Sequence, residues 1–188
     1  DLMKTVVPQL FRVLKPLGHL YVFTSMDHAD MKWIIELLTG AGFIVRGRPL
    51  IWHKSGPVGI TEVYTSFIPC YEGALWAYKP DNEGRQRLFN QSIVDGWSLP
   101  RPSTEGLGYH PHEKPQRMLS DIIEASSSIG EVVLDPFCGS GTTLVACAKE
   151  NRKGVGIDLN KKYCQMSKKR LQDLKLNRNQ QIVCGDSL

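Results

Sequence analysis

Val133-Leu134-Asp135-Pro136-Phe137-Cys138-Gly139-Ser140-Gly141-Thr142-Thr143 is the stretch that decides the fold. It leaves a short apolar run, an expected strand over Glu131 to Leu134, and enters an expected helix over Thr142 to Lys149. Gly139 and Gly141 let the backbone come close to a ligand where a Cβ would collide. The N–H groups that open a helix favour a negative group. A second expected strand, Gly154 to Ile157, runs into Asp158, 23 residues after Asp135. An acid about 20 residues beyond such a turn, at a strand tip, is placed to accept hydrogen bonds from ribose hydroxyls. Turn and acid together describe a site for an adenosine-containing cofactor at the C-terminal ends of parallel strands.

The surrounding pattern agrees. Upstream, a helix with Met118, Leu119, Ile122 and Ile123 follows Pro115. Downstream, a helix over about Lys161 to Lys175 is expected to turn Tyr163, Met166, Leu171 and Leu174 inward, and Gln181 to Cys184 form a third strand. Strands and helices in alternation mean βαβ units and a parallel sheet, so the fold class is α/β and Rossmann-like. The N-terminal part reads helix (2–15), strand (His19 to Thr24), helix, the last capped by Asp27 or Asp30 with Met31, Ile34, Ile35 and Leu38 on one face. Pro8 requires the first helix to begin near it or to kink. From Phe43 the pattern breaks into short β-like runs (Phe43 to Val45, Glu62 to Ile68, Ala74 to Tyr78), and 79–109 are polar and rich in Gly and Pro.

The cofactor's charge can be argued from the same turn. The dinucleotide fingerprint is G-x-G-x-x-G/A, and Leu144 stands at its third glycine. Asp135, just before the turn, would repel a pyrophosphate and suit a cationic amine. S-adenosylmethionine carries an amine, a carboxylate, a sulfonium and an adenosine, with no phosphate, and matches better than NAD. Two structural alternatives stand beside these roles. Asp135 could hold the loop by accepting backbone N–H groups, and Asp158 could cap the helix that begins at Lys161.

Composition narrows the class without naming a function. The chain has 188 residues, 41% hydrophobic and 22% charged, ordinary for a globular domain. No run approaches the ~18 apolar residues of a membrane span. Net charge is +4, but 149–178 hold ten Lys/Arg against three Asp/Glu, suited to a phosphate-rich partner or to a solvated helix face. Five cysteines without a CxxC pair give neither a disulfide framework nor a zinc site, so no metal is expected, and a reducing cytoplasm is the simplest setting.

Four strings resemble one family: FRVLKPLGHLYVF (Phe11 to Phe23), HPHEKP (His110 to Pro115), DPFCGSGTT (Asp135 to Thr143) and GVGIDLNKKYC (Gly154 to Cys164). They are similar to segments of the β-group amino-DNA methyltransferases, which move a methyl from S-adenosylmethionine to the exocyclic amine of adenine or cytosine in DNA. The resemblance implies a Rossmann-like S-adenosylmethionine-dependent methyltransferase sheet, incomplete here, with a small β/loop recognition insertion. It implies one methyltransferase domain over 1–188, with a target-recognition region at about 45–109 and a cofactor-binding part at 110–188. It assigns Asp135, Phe137, Gly139 and Gly141 to the methionine end, with Ser140 and Thr142 supporting it through N–H or hydroxyl bonds and Pro136 and Cys138 also among the cofactor-binding residues. Asp158 takes the ribose, His110 and Lys114 pack beside the turn with Lys114 near the carboxylate, and Asp186 lies near the adenine amine. The alternatives are that Lys114 is a solvated charge at a helix start and Asp186 a loop acid.

The family's catalytic tetrapeptide, (D/N/S)PP(Y/F/W), is absent, since Pro-Pro occurs nowhere in the sequence. Chemistry on a base needs that base extruded, stacked on an aromatic and held by its edge. The chain begins and ends where such a strand would be expected to adjoin it, so we expect a fragment that binds cofactor and does not methylate by itself. No catalytic residue is assigned. Within the recognition region, Arg46, Arg48, Lys54, Arg85 and Arg87 are the candidates for contacting double-stranded DNA, although such basic spacing is also ordinary for a surface. A bacterial, archaeal or phage source is implied. The alternatives are a non-catalytic binding remnant and an RNA methyltransferase.

Overall fold

The computed structural model describes residues 2–55, 69–102 and 113–185. They fall into two compact units, one from 1–88 with 94–100 and one from 89–93 with 101–187. The expected strand at Glu62 to Ile68 lies outside the described residues.

The first unit runs α1 (Leu2–Val13), β1 (His19–Thr24), α2 (His28–Gly40), β2 (Ile44–Val45), β3 (Leu50–Ser55), β4 (Tyr71–Tyr78) and β5 (Gly96–Pro100). α1 passes through Pro8 and buries Val6, Val7 and Leu10, leaving Leu2 and Val13 exposed. α2 begins where the Asp27 carboxylate accepts the Ala29 N–H at 2.8 Å, the cap anticipated from sequence. β4 is the spine of the sheet. It pairs antiparallel with β1 from His19 opposite Tyr78 to Thr24 opposite Gly73. Its other edge is shared by β3 and β2, and β5 lies parallel to β3. Alternation then sends Leu20 and Val22 of β1 and Leu75 and Ala77 of β4 to one face, where they form a core with Val6, Leu10, Ile34, Leu38 and Phe43.

β3 and β5 were not anticipated from sequence. Gly96-Trp97-Ser98-Leu99-Pro100 carries turn residues at both ends and reads as loop. Tertiary contacts decide it instead: the indoles of Trp52 and Trp97 are buried, and Trp52 Nε1 donates to the Leu99 carbonyl at 2.9 Å.

The second unit alternates as expected: α3 (Gln116–Ser126), β6 (Val132–Asp135), α4 (Thr142–Lys149), β7 (Lys153–Asp158), α5 (Lys161–Asp173) and β8 (Gln180–Cys184). The strands are parallel in the order β6-β7-β8, which establishes the α/β class and the partial Rossmann-like sheet. A Cβ at Gly154 or Gly156 of β7 would meet Leu144 of α4 at 2.7 or 2.8 Å. The close approach of helix to strand is thus made by glycines in the strand, and Leu144 fills the space as a fully buried side chain. Among the described residues β6 is hydrogen-bonded only to β7, and its Val132 is 61% exposed.

Two expectations need correction. The inner face of α5 is Cys164, Ser167, Arg170 and Leu171, with Tyr163 and Met166 half-buried and Leu174 exposed. Small side chains at 164 and 167 let the helix sit close to the turn, which a face of Tyr and Met could not do. The second concerns the cysteines: Cys164 of α5 and Cys184 of β8 stand side by side, with Cα atoms 6.0 Å apart, a proximity the sequence did not suggest. The two lie on different elements, so no local spacing announced it.

Candidate cofactor-binding site

The site is built at the carboxyl ends of β6 and β7. β6 ends at Asp135, the chain turns through 136–141, and α4 starts at Thr142. Gly139 (φ 48) and Gly141 (φ 80) are both in the left-handed region, and Gly141 is the helix N-cap. A Cβ on Gly141 would lie 2.5 Å from Ser167 Oγ. The glycine is therefore required twice, by its backbone and by its neighbour.

Asp135 is held by its own loop. One carboxylate oxygen accepts the Phe137 N–H at 3.0 Å and the other accepts the Thr143 hydroxyl at 2.6 Å. Burial nevertheless pushes its carboxyl above the ordinary range, and the nearby charge of Asp158 adds to the rise. The loop-holding role expected as the alternative for Asp135 is thus what its hydrogen bonds show. Asp158 ends β7, and its oxygens accept the Gly139 N–H at 2.9 Å and the Asn160 N–H at 2.8 Å. The cap of α5 is Asn160, whose side chain accepts the Lys162 N–H at 2.9 Å, and not Asp158. Two carboxylates thus stand at the tips of neighbouring strands, bridged by the turn.

The remaining turn residues divide by exposure. Phe137 presents 48% of its surface to solvent. Pro136 and Gly139 are half-buried. Cys138, Ser140 and Thr142 are buried. The Cys138 thiol packs toward Gly156, and burial together with the charges of Asp135 and Asp158 pushes its pKa up to about 12. Thr142 Oγ1 donates to Glu113 at 2.9 Å and accepts from Arg170 at 3.0 Å, so its hydroxyl is committed inside the protein. Lys114 is half-buried ahead of α3. His110 and Asp186 lie outside the described residues.

Sequence reasoning missed the residues that brace this turn. Arg170 of α5 makes a buried ion pair with Glu113 at 2.7 Å and reaches the Ser140 carbonyl at 3.4 Å. Ser167 donates to the Gly139 carbonyl at 2.9 Å. Removing one partner of a buried pair leaves an uncompensated charge, so Glu113 and Arg170 depend on each other. A signal was available: Cys164, Ser167 and Leu171 recur at helical spacing and, with Arg170 beside them, mark a polar inner stripe.

In the first unit, the proposed nucleic-acid cations differ in their surroundings. Arg46 is exposed and stacks its guanidinium over Trp76 at 5.5 Å and Tyr78 at 5.9 Å. Arg48 is exposed in the turn before β3. Lys54 pairs with Glu72 at 2.8 Å, and Arg85 with Asp81 at 2.7 Å and Glu83 at 2.8 Å. Arg87 is half-buried near His19, whose pKa is lowered to about 4, mainly by burial. No helix among the described residues is long and apolar enough to cross a membrane.

The chain shares this architecture with known proteins. It is 35% identical over 171 residues to the type II methyltransferase M2.LlaDCHI of Lactococcus lactis subsp. cremoris, covering 85% of this chain and 62% of that one. It is 30% identical over 181 residues to the type II methyltransferase M.HpaI of Haemophilus parainfluenzae, covering 87% and 56%. It therefore spans little more than half the length of these curated relatives. The crystal structure of the M1.HpyAVI–SAM complex superimposes with a TM-score of 0.74 at 29% identity, over 89% of this chain and 81% of that one. The sequence profile of the N6/N4 DNA methylase family matches residues 1–169, and the chain belongs to that family.

Proposed function

We propose that this chain is the cofactor-binding and target-recognition part of an enzyme that transfers a methyl group from S-adenosylmethionine to an exocyclic amine of adenine or cytosine in DNA. The observation that carries the reading is the pair of acids, Asp135 and Asp158, flanking a glycine turn, with burial already raising Asp135. A diphosphate would be repelled there, and a cationic nucleoside would relieve the repulsion between the two carboxylates. The residues fit such a group. Asp135 attracts the cationic methionine end, beside the backbone of Pro136 to Gly141. The exposed Phe137 ring offers an apolar surface, and Asp158 accepts from ribose hydroxyls. His110 and Lys114 are assigned to the methionine carboxylate end and Asp186 to the adenine amine, as the family resemblance implies. Cys138, Ser140 and Thr142, being buried, act through backbone groups and packing. When bound, the cofactor supplies the electrophilic methyl.

Residues 45–109 form the recognition region for double-stranded DNA, with Arg46 and Arg48 as the strongest candidates, because Lys54 and Arg85 already carry carboxylate partners. Lacking the Pro-Pro tetrapeptide, this chain alone binds cofactor without turnover. The setting is the bacterial cytoplasm, as expected for a protein that meets DNA.

Titration calorimetry tests the cofactor reading directly. S-adenosylmethionine should bind and NAD should not. Asp158→Asn should weaken binding roughly tenfold or more, in line with the ~1.5–3 kcal/mol of a charge-assisted hydrogen bond. Tighter binding of NAD would overturn the assignment. Labelled methyl transfer to duplex DNA should stay at background for this chain, and robust turnover would refute the role given to the missing tetrapeptide.

A further inference from the structure

α5 has two faces with different work. Its inner face braces the cofactor turn through Ser167 and Arg170. Its outer face is Lys161, Lys162, Gln165, Lys168, Lys169, Gln172 and Asp173, all exposed. At 100° per residue these seven fall within one contiguous arc, and the four lysines form two rungs, 161 with 162 and 168 with 169. The rungs stand ~10.5 Å apart along the axis. Lys175 and Arg178 in the following loop, and Lys153 at the start of β7, are exposed as well.

This face is not arranged as a merely solvated helix would be. Two other helices pair a cation with an acid one turn on, Lys32 with Glu36 in α2 and Arg117 with Asp121 in α3. Among the described residues, none of the four α5 lysines has an ion pair, although Asp173 is spaced to reach Lys169. The first turn of α5 contains no acid. Lys161 and Lys162 occupy it instead, at the positive end of the helix dipole, where cations are disfavoured. Charge is thus concentrated against both local rules, and it is uncompensated among the described residues.

We infer that the outer face of α5 is a docking surface for the sugar–phosphate backbone of duplex DNA, separate from the recognition region at 45–109 and indifferent to base sequence. Four lysines in two rungs present point charges to successive phosphates, and Gln165 between them and Gln172 beyond donate to phosphate oxygens without adding charge. This inference rests on the DNA reading above and assigns it a second, non-specific contact.

The test is the salt dependence of binding to a duplex of arbitrary sequence, measured by fluorescence anisotropy with the full chain. In Lys161→Gln/Lys162→Gln/Lys168→Gln/Lys169→Gln, the slope of log K against log salt should become shallower by about 0.9 for every phosphate that is no longer neutralised. S-adenosylmethionine binding and the thermal melt should be unchanged, which shows that the variant is folded. A control, Arg12→Gln/Lys15→Gln/Lys32→Gln/Arg117→Gln, removes the same number of charges elsewhere and should leave the slope nearly as it was. An equal change in both variants, or none in the first, would overturn the surface while leaving the DNA reading intact. A weakening seen only with single-stranded RNA would overturn the choice of partner. Failure of the unmodified chain to bind duplex at any salt would sink the DNA reading itself.

Discussion

Asp135 illustrates how one side chain can be held by its hydrogen bonds and opposed by its burial at once. Its two hydrogen bonds, to the Phe137 N–H and the Thr143 hydroxyl, stabilise the turn. Its burial disfavours the charge. Because the folded pKa is raised, the associated stability is fully present below the ordinary carboxylate value and is lost as pH rises through the elevated one. Asp135→Asn keeps an acceptor for the Phe137 N–H and removes the buried charge. Melting curves should therefore show the variant gaining on the wild type as pH increases from acid to neutral, while affinity for S-adenosylmethionine falls by tenfold or more. A variant that instead loses ground to the wild type between acid and neutral pH would contradict this sign. The positions of Asp135 and Asp158 were legible in the sequence because each closes a short apolar run, the first of them leading into a glycine-rich turn. Glu113 and Arg170 were not, because a buried ion pair between elements 57 residues apart in sequence leaves no local pattern.

At the scale of elements, the turn and α5 are fitted to each other through Gly141 and Ser167. Gly130 and Gly141 share a φ of +80°, but a Cβ on Gly130 meets nothing within 4 Å, whereas one on Gly141 meets Ser167. Gly130→Ala should cost the backbone term alone, roughly 1–2 kcal/mol. Gly141→Ala should cost that and the displacement of Ser167 as well. Denaturant midpoints of the two variants separate the contributions, and equal destabilisation would show that α5 yields freely. The parallel strands and helices of the second unit were legible because each short apolar run is bounded by glycine or a capping residue. β3 and β5 were hidden because their pairing, and the burial of Trp52 and Trp97, comes from residues distant in sequence. The face of α5 was misjudged by rotation: large apolar residues suggested the inner set, while close packing on the turn selected Cys164 and Ser167.

On the scale of the whole molecule, the two units have different sheets, one mixed and largely antiparallel, the other parallel, and the alternation rule describes only the second. The order of motifs along the chain carried more information than composition did, since a net charge of +4 and ordinary hydrophobic content fit almost any globular domain. The lone bonded edge of β6 has a practical result. A strand whose outer rim has no strand partner among the described residues, and whose Val132 and Leu134 are exposed, invites a copy of itself to zip alongside. Light scattering on concentrated samples should rise with protein concentration, and Val132→Lys should suppress the rise without altering affinity for S-adenosylmethionine. Purified alone, the chain is expected to be sticky at that rim, and its shelf life in the tube will be governed by how well a single lysine can blunt it.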